Sequence, residues 1–130
     1  MGLFGFGKKR ANAVARPQEA APANADELRA RADELQGQLA ELEGEGRVPL
    51  LNDLGRTLAD AGDIDGAIAA FEESLELKHV MGKASAALVK LYNKKRAQAA
   101  SEKDNEAIAH YMDKVNGLLA LSKDQLRGRA

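Results

Sequence analysis

The sequence predicts an all-α fold, on three observations. Apolar residues recur at spacings of three and four from residue 25 onward, which is the helical period. No stretch alternates apolar and polar residues in the manner of a strand rich in Val, Ile and Thr. Aromatic residues are scarce, with three Phe, two Tyr and no Trp, so Ala and Leu must supply most of the core. Helices packed closely on small residues suit such a composition.

Length and composition narrow the class of protein further. With 130 residues, the chain is expected to hold one domain. The absence of cysteine excludes disulfides and thiolate metal sites. The sequence has no apolar run of about 20 residues, so no membrane-spanning helix is expected. Its start lacks the pattern of a secretory signal, which makes the cytoplasm the expected location.

Residues 1–24 are predicted to be a disordered leader with an apolar and basic tip. Glycines and an Ala/Pro/Asn run give this segment no periodic apolar face. Aromatic rings at lipid headgroups and cations on anionic lipids would allow peripheral membrane contact. The candidate contact residues are Leu3, Phe4, Phe6, Lys8, Lys9 and Arg10. A plain disordered leader is the interpretation that the composition favours over this tether.

Residues 25–46 predict a helix with a heptad pattern. Its seam consists of Leu28, Ala32, Leu35, Leu39 and Leu42, and Gly44 and Gly46 mark its end. Acidic residues outnumber basic ones along this segment. The seam is short for an independent coiled coil, so packing on the following domain is the first expectation. Pairing of two copies through residues 26–43 is the alternative, and it would make the protein a structural homodimer.

Residues 47–126 predict four more helices, followed by a tail at 127–130. The first covers Val48 to Ala61, and the second follows Gly62 with Asp63 or Asp65 as its cap. The third covers about Lys83 to Ala100, and the fourth about Asp104 to Leu126. That last helix runs through a series of apolar residues at helical spacing, namely Ala107, Ile108, Tyr111, Met112, Val115, Leu118 and Leu119.

A helix-turn-helix motif lies within these residues. It begins with Leu51-x-x-Leu54-Gly55-x-x-Leu58 and continues with Gly62-Asp63-Ile64-Asp65-x-Ala67-x-x-x-Phe71. This order resembles one tetratricopeptide repeat. A second, irregular unit carries Leu88-Val89-x-x-Tyr92 and Asn105-Glu106-Ala107-Ile108-x-x-Tyr111. The resemblance implies stacked helical pairs that bind another protein and carry no cofactor or chemistry of their own.

In that family the first helix of each unit lines a concave groove. The resemblance therefore implies a protein- or peptide-binding surface at Asn52, Arg56, Lys83, Lys90, Asn93 and Lys94. Lys83, Lys90 and Lys94 recur at helical spacing, so they can present a cationic strip to acidic side chains of a partner. A solvated helix face, partly neutralised by the acidic helix before it, is the alternative interpretation.

Catalysis, metal binding and nucleic-acid binding have little support in the sequence. Two histidines, His79 and His110, lie far apart, and no recognised catalytic motif is present. Asp60, Asp63 and Asp65 lack the Glu that would close a calcium loop, so they are interpreted as turn and cap residues. The basic cluster at residues 94–96 has no stacking aromatic in its segment, which argues against nucleic acid. The sequence therefore predicts a non-enzymatic adaptor or scaffold.

Overall fold

The computed structural model describes residues 24–78 and 82–127, and the fold in these ranges is all-α, as predicted. No strand occurs in either range. The five α-helices are α1 (Ala25–Leu39), α2 (Val48–Asp60), α3 (Ile64–Leu77), α4 (Lys83–Ser101) and α5 (Asn105–Leu126), with a short 3₁₀ helix at Gly44–Arg47 between α1 and α2. For α2, α4 and α5, the ends predicted from the sequence lie within one residue of these bounds.

Consecutive helices pack on one another from α1 to α5, so the chain forms a linear array. The core runs through all five helices and consists mainly of Leu and Ala, with Phe71 and Tyr92 as its buried aromatic residues. Leu35, Leu51 and Leu88 are almost completely buried. A chain that is poor in aromatics thus closes its core by bringing small-residue helices close together.

Two helical hairpins, α2–α3 and α4–α5, share the same kind of turn. After α2, Gly62 adopts a φ of +91°, and the Asp63 N–H donates to the Leu58 carbonyl at 2.8 Å. After α4, Lys103 adopts a φ of +58°, and the Asp104 N–H donates to the Ala99 carbonyl at 2.9 Å. The C-termini of α2 and α4 are therefore both Schellman motifs. In this motif, a residue with positive φ allows the last carbonyls of the helix to accept hydrogen bonds.

An aspartate side chain caps the N-terminus of the second helix of each hairpin. The Asp63 carboxylate accepts a hydrogen bond from the Gly66 N–H at 2.9 Å. The Asp104 carboxylate accepts one from the Ala107 N–H at 3.1 Å. These N-caps satisfy backbone donors that have no partner within the helix. Of the two caps that the sequence offers for α3, Asp63 is therefore the one used.

The heptad-patterned helix ends earlier than the sequence predicts. α1 stops at Leu39 rather than near Gly44, so Leu42 lies outside the helix with its side chain exposed. Arg47 explains this difference, because its Nη1 donates to the Leu39 carbonyl at 2.8 Å and to the Leu42 carbonyl at 3.3 Å. The same guanidinium contacts Glu73 on α3 through Nη2 at 2.8 Å. A residue from further along the chain thus closes α1.

The apolar seam of α1 packs against other helices of the same chain. Leu35 is 0% exposed and Leu39 is 4% exposed, and both belong to the core that α1 shares with α2. Ala32 is also buried, whereas Leu28 is half-buried. The helix therefore packs on the domain that follows it, which was the first expectation for this segment.

The apolar residues at helical spacing along α5 are partly buried and partly exposed. Leu118 is buried, and Tyr111 and Val115 pack against the core. Met112 and Leu119, however, are exposed. They follow the same helical period as the buried residues, but α5 has a described neighbour on its α4 side and lies at the end of the array. Periodicity alone does not reveal which shoulder of a helix the other described helices leave uncovered.

Candidate functional site

A groove runs between α2 and α4, with a volume of about 690 Å³. α2 forms one wall and α4 forms the other. The apolar part of its lining comes from Ile64, Phe71 and Leu91, together with alanines of both walls. The residues that line it are Asn52, Arg56, Ala59, Asp60, Ile64, Phe71, Lys83, Ala86, Ala87, Lys90, Leu91 and Lys94.

The charge of this groove is predominantly positive. Among the described lining residues, four are cationic and Asp60 is the single carboxylate; the cationic ones are Arg56, Lys83, Lys90 and Lys94. Lys83, Lys90 and Lys94 lie on one face of α4, and the helical rise spreads them over about 16 Å. Within residues 24–78 and 82–127, no ion pair involves Lys83 or Lys90. The α4 wall thus presents a strip of positive charge above an apolar floor.

The α2 wall carries two polar residues that are held by neighbours. Arg56 Nη2 contacts Asp53 Oδ1 at 2.7 Å on the exposed side of α2. Asn52 Oδ1 accepts a hydrogen bond from the buried Ser74 hydroxyl at 2.7 Å, which ties α2 to α3. This bond engages the amide oxygen of Asn52, whose nitrogen can act only as a hydrogen-bond donor.

The floor of the groove depends on a close approach between α2 and α3. The ring of Phe71, 4% exposed, lies against Gly55, where a Cβ would come within 2.6 Å of the ring atom Cε2. Gly55 thus provides the space that the ring occupies, while Ala67 is completely buried on the same helix as Phe71. Small residues at the helix contact let the ring reach from α3 to the groove.

Five of the six predicted groove residues lie together in the structure. Asn52, Arg56, Lys83, Lys90 and Lys94 all line the groove. Asn93 does not, since it is half-buried beyond the edge of the lysine strip. Sequence reasoning missed Asp60, although it lies one helical turn after Arg56. The sequence also gives no sign that Ile64, Phe71 and Leu91 border a groove, because apolar residues at helical spacing are ordinarily core residues.

The basic residues of α4 differ in whether a described carboxylate contacts them. α1 packs on α2, and among the described residues no α1 carboxylate pairs with Lys83 or Lys90. The neighbouring Lys95 contacts Asp65 of α3 at 3.1 Å. Arg96 is exposed. The basic cluster at residues 94–96 is therefore divided between the groove and an ion pair on another side of α4.

A second polar network ties α3, α4 and α5 together away from the groove. The buried hydroxyl of Tyr92 donates to Glu72 Oε2 at 2.5 Å, and Lys114 Nζ contacts the same oxygen at 3.3 Å. Burial raises the pKa of the Tyr92 hydroxyl well above its ordinary value, and the hydrogen bond and negative charge of Glu72 raise it further. This network stabilises the packing of the second hairpin on the first.

The remaining candidate residues do not form a reactive cluster in the described part of the chain. His110 is exposed, with its ring edge-on to Tyr111 at a centroid distance of 4.8 Å. The described ranges contain no group of three or more His, Asp or Glu side chains that could hold a metal ion.

His79 lies outside the described residues, as do Leu3, Phe4, Phe6, Lys8, Lys9 and Arg10. Among the described helices, none has the length and apolar character to cross a membrane.

Comparisons with protein-family models, curated proteins and solved structures found no significant match for this chain.

Proposed function

We propose that the protein is a non-enzymatic adaptor that binds an acidic protein or peptide segment in the groove between α2 and α4. One observation carries this proposal: a strip of lysines lies above an apolar floor in a groove whose described lining includes a single carboxylate. Such a surface attracts acidic side chains over long range, and it buries an apolar side chain at short range. The cytoplasm, where folded adaptors meet such segments, is the location we propose.

The resemblance to tetratricopeptide repeats supports the same function. In that family, paired helices stack so that the first helix of each pair faces a ligand. Here α2 and α4 are the first helices of the two hairpins, and both line the groove. The matching turns at Gly62 and Lys103, each followed by an aspartate cap, support an internal repeat. We propose that the two hairpins are repeats of this type.

Fluorescence anisotropy with two pools of labelled peptides tests the binding chemistry. One pool is rich in Glu with a single Phe or Leu, and the other has Lys in place of Glu. We expect the acidic pool to bind more tightly, with an affinity that falls as salt is added. Equal binding of both pools would contradict the proposal.

Charge-reversed variants locate the binding. Lys83→Glu with Lys90→Glu should weaken acidic binding by about tenfold or more, which corresponds to about 1.4 kcal/mol. The matched control is Arg29→Glu with Lys103→Glu, which changes the net charge equally at exposed positions outside the groove. Equal weakening by both variants would mean that net charge, and not the groove, holds the peptide.

Self-association through residues 26–43 is the weaker functional proposal. It requires the seam of α1 to face a second copy, whereas Leu35 and Leu39 already belong to the core of their own chain. A zipper through this helix would need α1 to leave α2. Sedimentation of the full chain and of a Leu28→Glu variant tests it, since Leu28 is the half-buried member of the seam.

A further inference from the structure

A smaller groove lies between α3 and α5, with a volume of about 340 Å³. α5 packs chiefly on α4, so its side toward α3 borders this space. The apolar part of the lining includes Leu75 on α3 and Leu118 and Leu121 on α5. Ligand pockets in proteins span about 300–1,000 Å³, so this groove takes one or two side chains rather than a whole segment.

The charge of the α3–α5 groove is negative. Among its described lining residues are three carboxylates and one ammonium group, namely Glu72, Glu76, Asp113 and Lys114. Lys114 contacts Glu72 at 3.3 Å, which leaves the other two carboxylates. Glu76 and Asp113 are exposed, and neither forms an ion pair within the described part of the chain. Because Glu72 and Glu76 are like charges one helical turn apart, a further cation here is favourable.

The N-terminal tip, residues 3–10, has the complementary chemistry. Phe4 and Phe6 are followed by three cations at positions 8 to 10. In an extended segment, alternate side chains lie on one side, so Phe4, Phe6 and Lys8 share a face. The two residues between them are glycines, which add no side chain to hold the segment away from the groove. The rings therefore match the leucines of the α3–α5 groove, and the cations match its carboxylates.

Two other cavities suit the tip less well. The groove between α2 and α4 is predominantly cationic, so it repels the tip. A cavity of about 440 Å³ between α1, α2 and α3 has two lining carboxylates, but both are engaged. Glu73 contacts Arg47, and Asp63 caps α3. The α3–α5 groove is the better match, because its leucines lie beside two exposed carboxylates without a described ion pair.

The chain between the tip and α1 is long enough to reach this groove. Residues 11–23 can span about 43–47 Å when extended. α5, the longest of the described helices, is about 33 Å long. α1 and α3 line a cavity together, so the tether starts on a helix that neighbours the groove. A tethered segment meets its site at an effective concentration on the order of 1 mM, so a weak contact is sufficient.

We infer that the N-terminal tip of this chain docks in the groove between its own α3 and α5. The phenylalanine rings lie against the leucines, and the cations of the tip face Glu76 and Asp113. This docking goes beyond the proposed adaptor function, because the two grooves share no lining residue. A docked tip is also withheld from lipid, so the same residues cannot make both contacts at once.

Disulfide trapping in the full chain tests the docking, since the chain has no cysteine of its own. Gly7→Cys lies in the tip, and Gly117→Cys lines the groove with nothing within 4 Å of its Cβ. The matched control pairs Gly7→Cys with Gly37→Cys, an equally open position on α1. Without docking, the shorter loop to position 37 closes at least as fast. With docking, the intramolecular disulfide to position 117 should form about tenfold faster than the control disulfide under mild oxidation.

Charge exchange tests whether the carboxylates of the groove recognise the tip. In the Gly117→Cys trapping variant, Glu76→Lys with Asp113→Lys should slow the disulfide to the control rate. Adding Lys8→Glu with Lys9→Glu should restore the faster rate, because the exchanged charges are again complementary.

A matched pair of substitutions controls for net charge. Asp33→Lys with Glu41→Lys changes it equally at exposed positions outside the groove and should leave the trapping rate unchanged. Far-UV circular dichroism confirms that each variant is folded.

Three outcomes would overturn the inference. The first is equal disulfide formation at positions 117 and 37. The second is a disulfide that joins two chains, since the tip would then dock on another copy. The third is a trapping rate that the groove substitutions and the Asp33→Lys with Glu41→Lys control change equally, because net charge would then explain it.

Discussion

The ring of Phe71 lies directly on Gly55. A Cβ added at Gly55 would come 2.6 Å from Cε2 and 2.7 Å from Cζ of that ring. These distances leave no room for even one methyl group, so the glycine is what allows α2 and α3 to approach with the ring between them. The same ring borders the groove between α2 and α4. Packing of the first hairpin and the shape of the candidate site therefore depend on one contact.

Gly55→Ala should destabilise the protein. The new methyl group must displace the Phe71 ring, and overpacking of this kind costs about 1–3 kcal/mol. Gly37→Ala is the matched control, because Gly37 is exposed in α1 with nothing within 4 Å of its added Cβ. Alanine should stabilise that helix by about 0.5–1 kcal/mol. Urea denaturation of both variants measures the difference, and equal effects would contradict the packing account.

Arg47→Met should destabilise the closure of α1. The Arg47 guanidinium donates to the Leu39 carbonyl and contacts Glu73, so its loss removes several charge-assisted hydrogen bonds. Because both side chains are partly exposed, we expect a cost of about 1–2 kcal/mol.

An exposed ion pair of α1 provides the control for this change. Arg31 contacts Glu34 one turn away at 3.2 Å, and both side chains are more than half exposed. Arg31→Met should change the free energy of unfolding by less than about 0.5 kcal/mol. Thermal denaturation of the two variants compares them. A larger loss for Arg31→Met than for Arg47→Met would contradict the role given to Arg47.

Stability should fall at alkaline pH because of Tyr92. The pKa of its hydroxyl is higher in the folded state than in the unfolded state, so folding favours the protonated phenol. The contribution is complete below the unfolded value of about 10, and it is lost as pH rises above that value. Each pH unit above 10 should cost up to about 1.4 kcal/mol.

Tyr92→Phe is the control for this titration, since it removes the phenol and keeps the ring. Other groups titrate in the same range, so the relevant quantity is the difference in unfolding free energy between the two proteins. That difference should shift in favour of Tyr92→Phe as pH rises from 8 to 11, as measured by urea denaturation. A difference that is independent of pH would contradict the buried hydrogen bond to Glu72.

Deletion of residues 1–10 tests the proposed membrane contact. A tether made of Leu3, Phe4 and Phe6 followed by three cations predicts that the intact chain co-sediments with vesicles rich in phosphatidylserine, whereas a plain disordered leader predicts that it does not. The shortened chain should remain in the supernatant, and neutral phosphatidylcholine vesicles should retain neither. Co-sedimentation of both forms to the same extent would exclude this tip as the tether.

Local signals in the sequence predicted most of the fold. These signals act within a few residues, so they can be recognised in the sequence. They include Pro49 in the first turn of α2, Gly62 after that helix, and the aspartates before α3 and α5. Features that depend on residues further away could not be predicted from the sequence. The end of α1 depends on Arg47, and the exposure of Leu119 depends on which side of α5 the other described helices pack against.

The candidate groove was predicted from a resemblance and from one helical spacing. Lys83, Lys90 and Lys94 recur on one face of α4 whatever lies opposite, so the strip follows from the sequence. Two other features of the groove depend on how α2, α3 and α4 approach one another. One is the apolar floor beside the lysine strip, and the other is the position of Asn93 outside the groove. This approach is a tertiary property, and no local signal records it.

Partner capture from a native lysate tests the central proposal most directly. The baits are the intact protein, the Lys83→Glu and Lys90→Glu double variant, and the Arg29→Glu and Lys103→Glu control, each analysed by quantitative mass spectrometry. We predict a partner with an acidic segment that the intact protein and the control retain and the groove variant loses. Recovery of the same partners by all three baits, or of this chain alone, would contradict an adaptor that works through the groove.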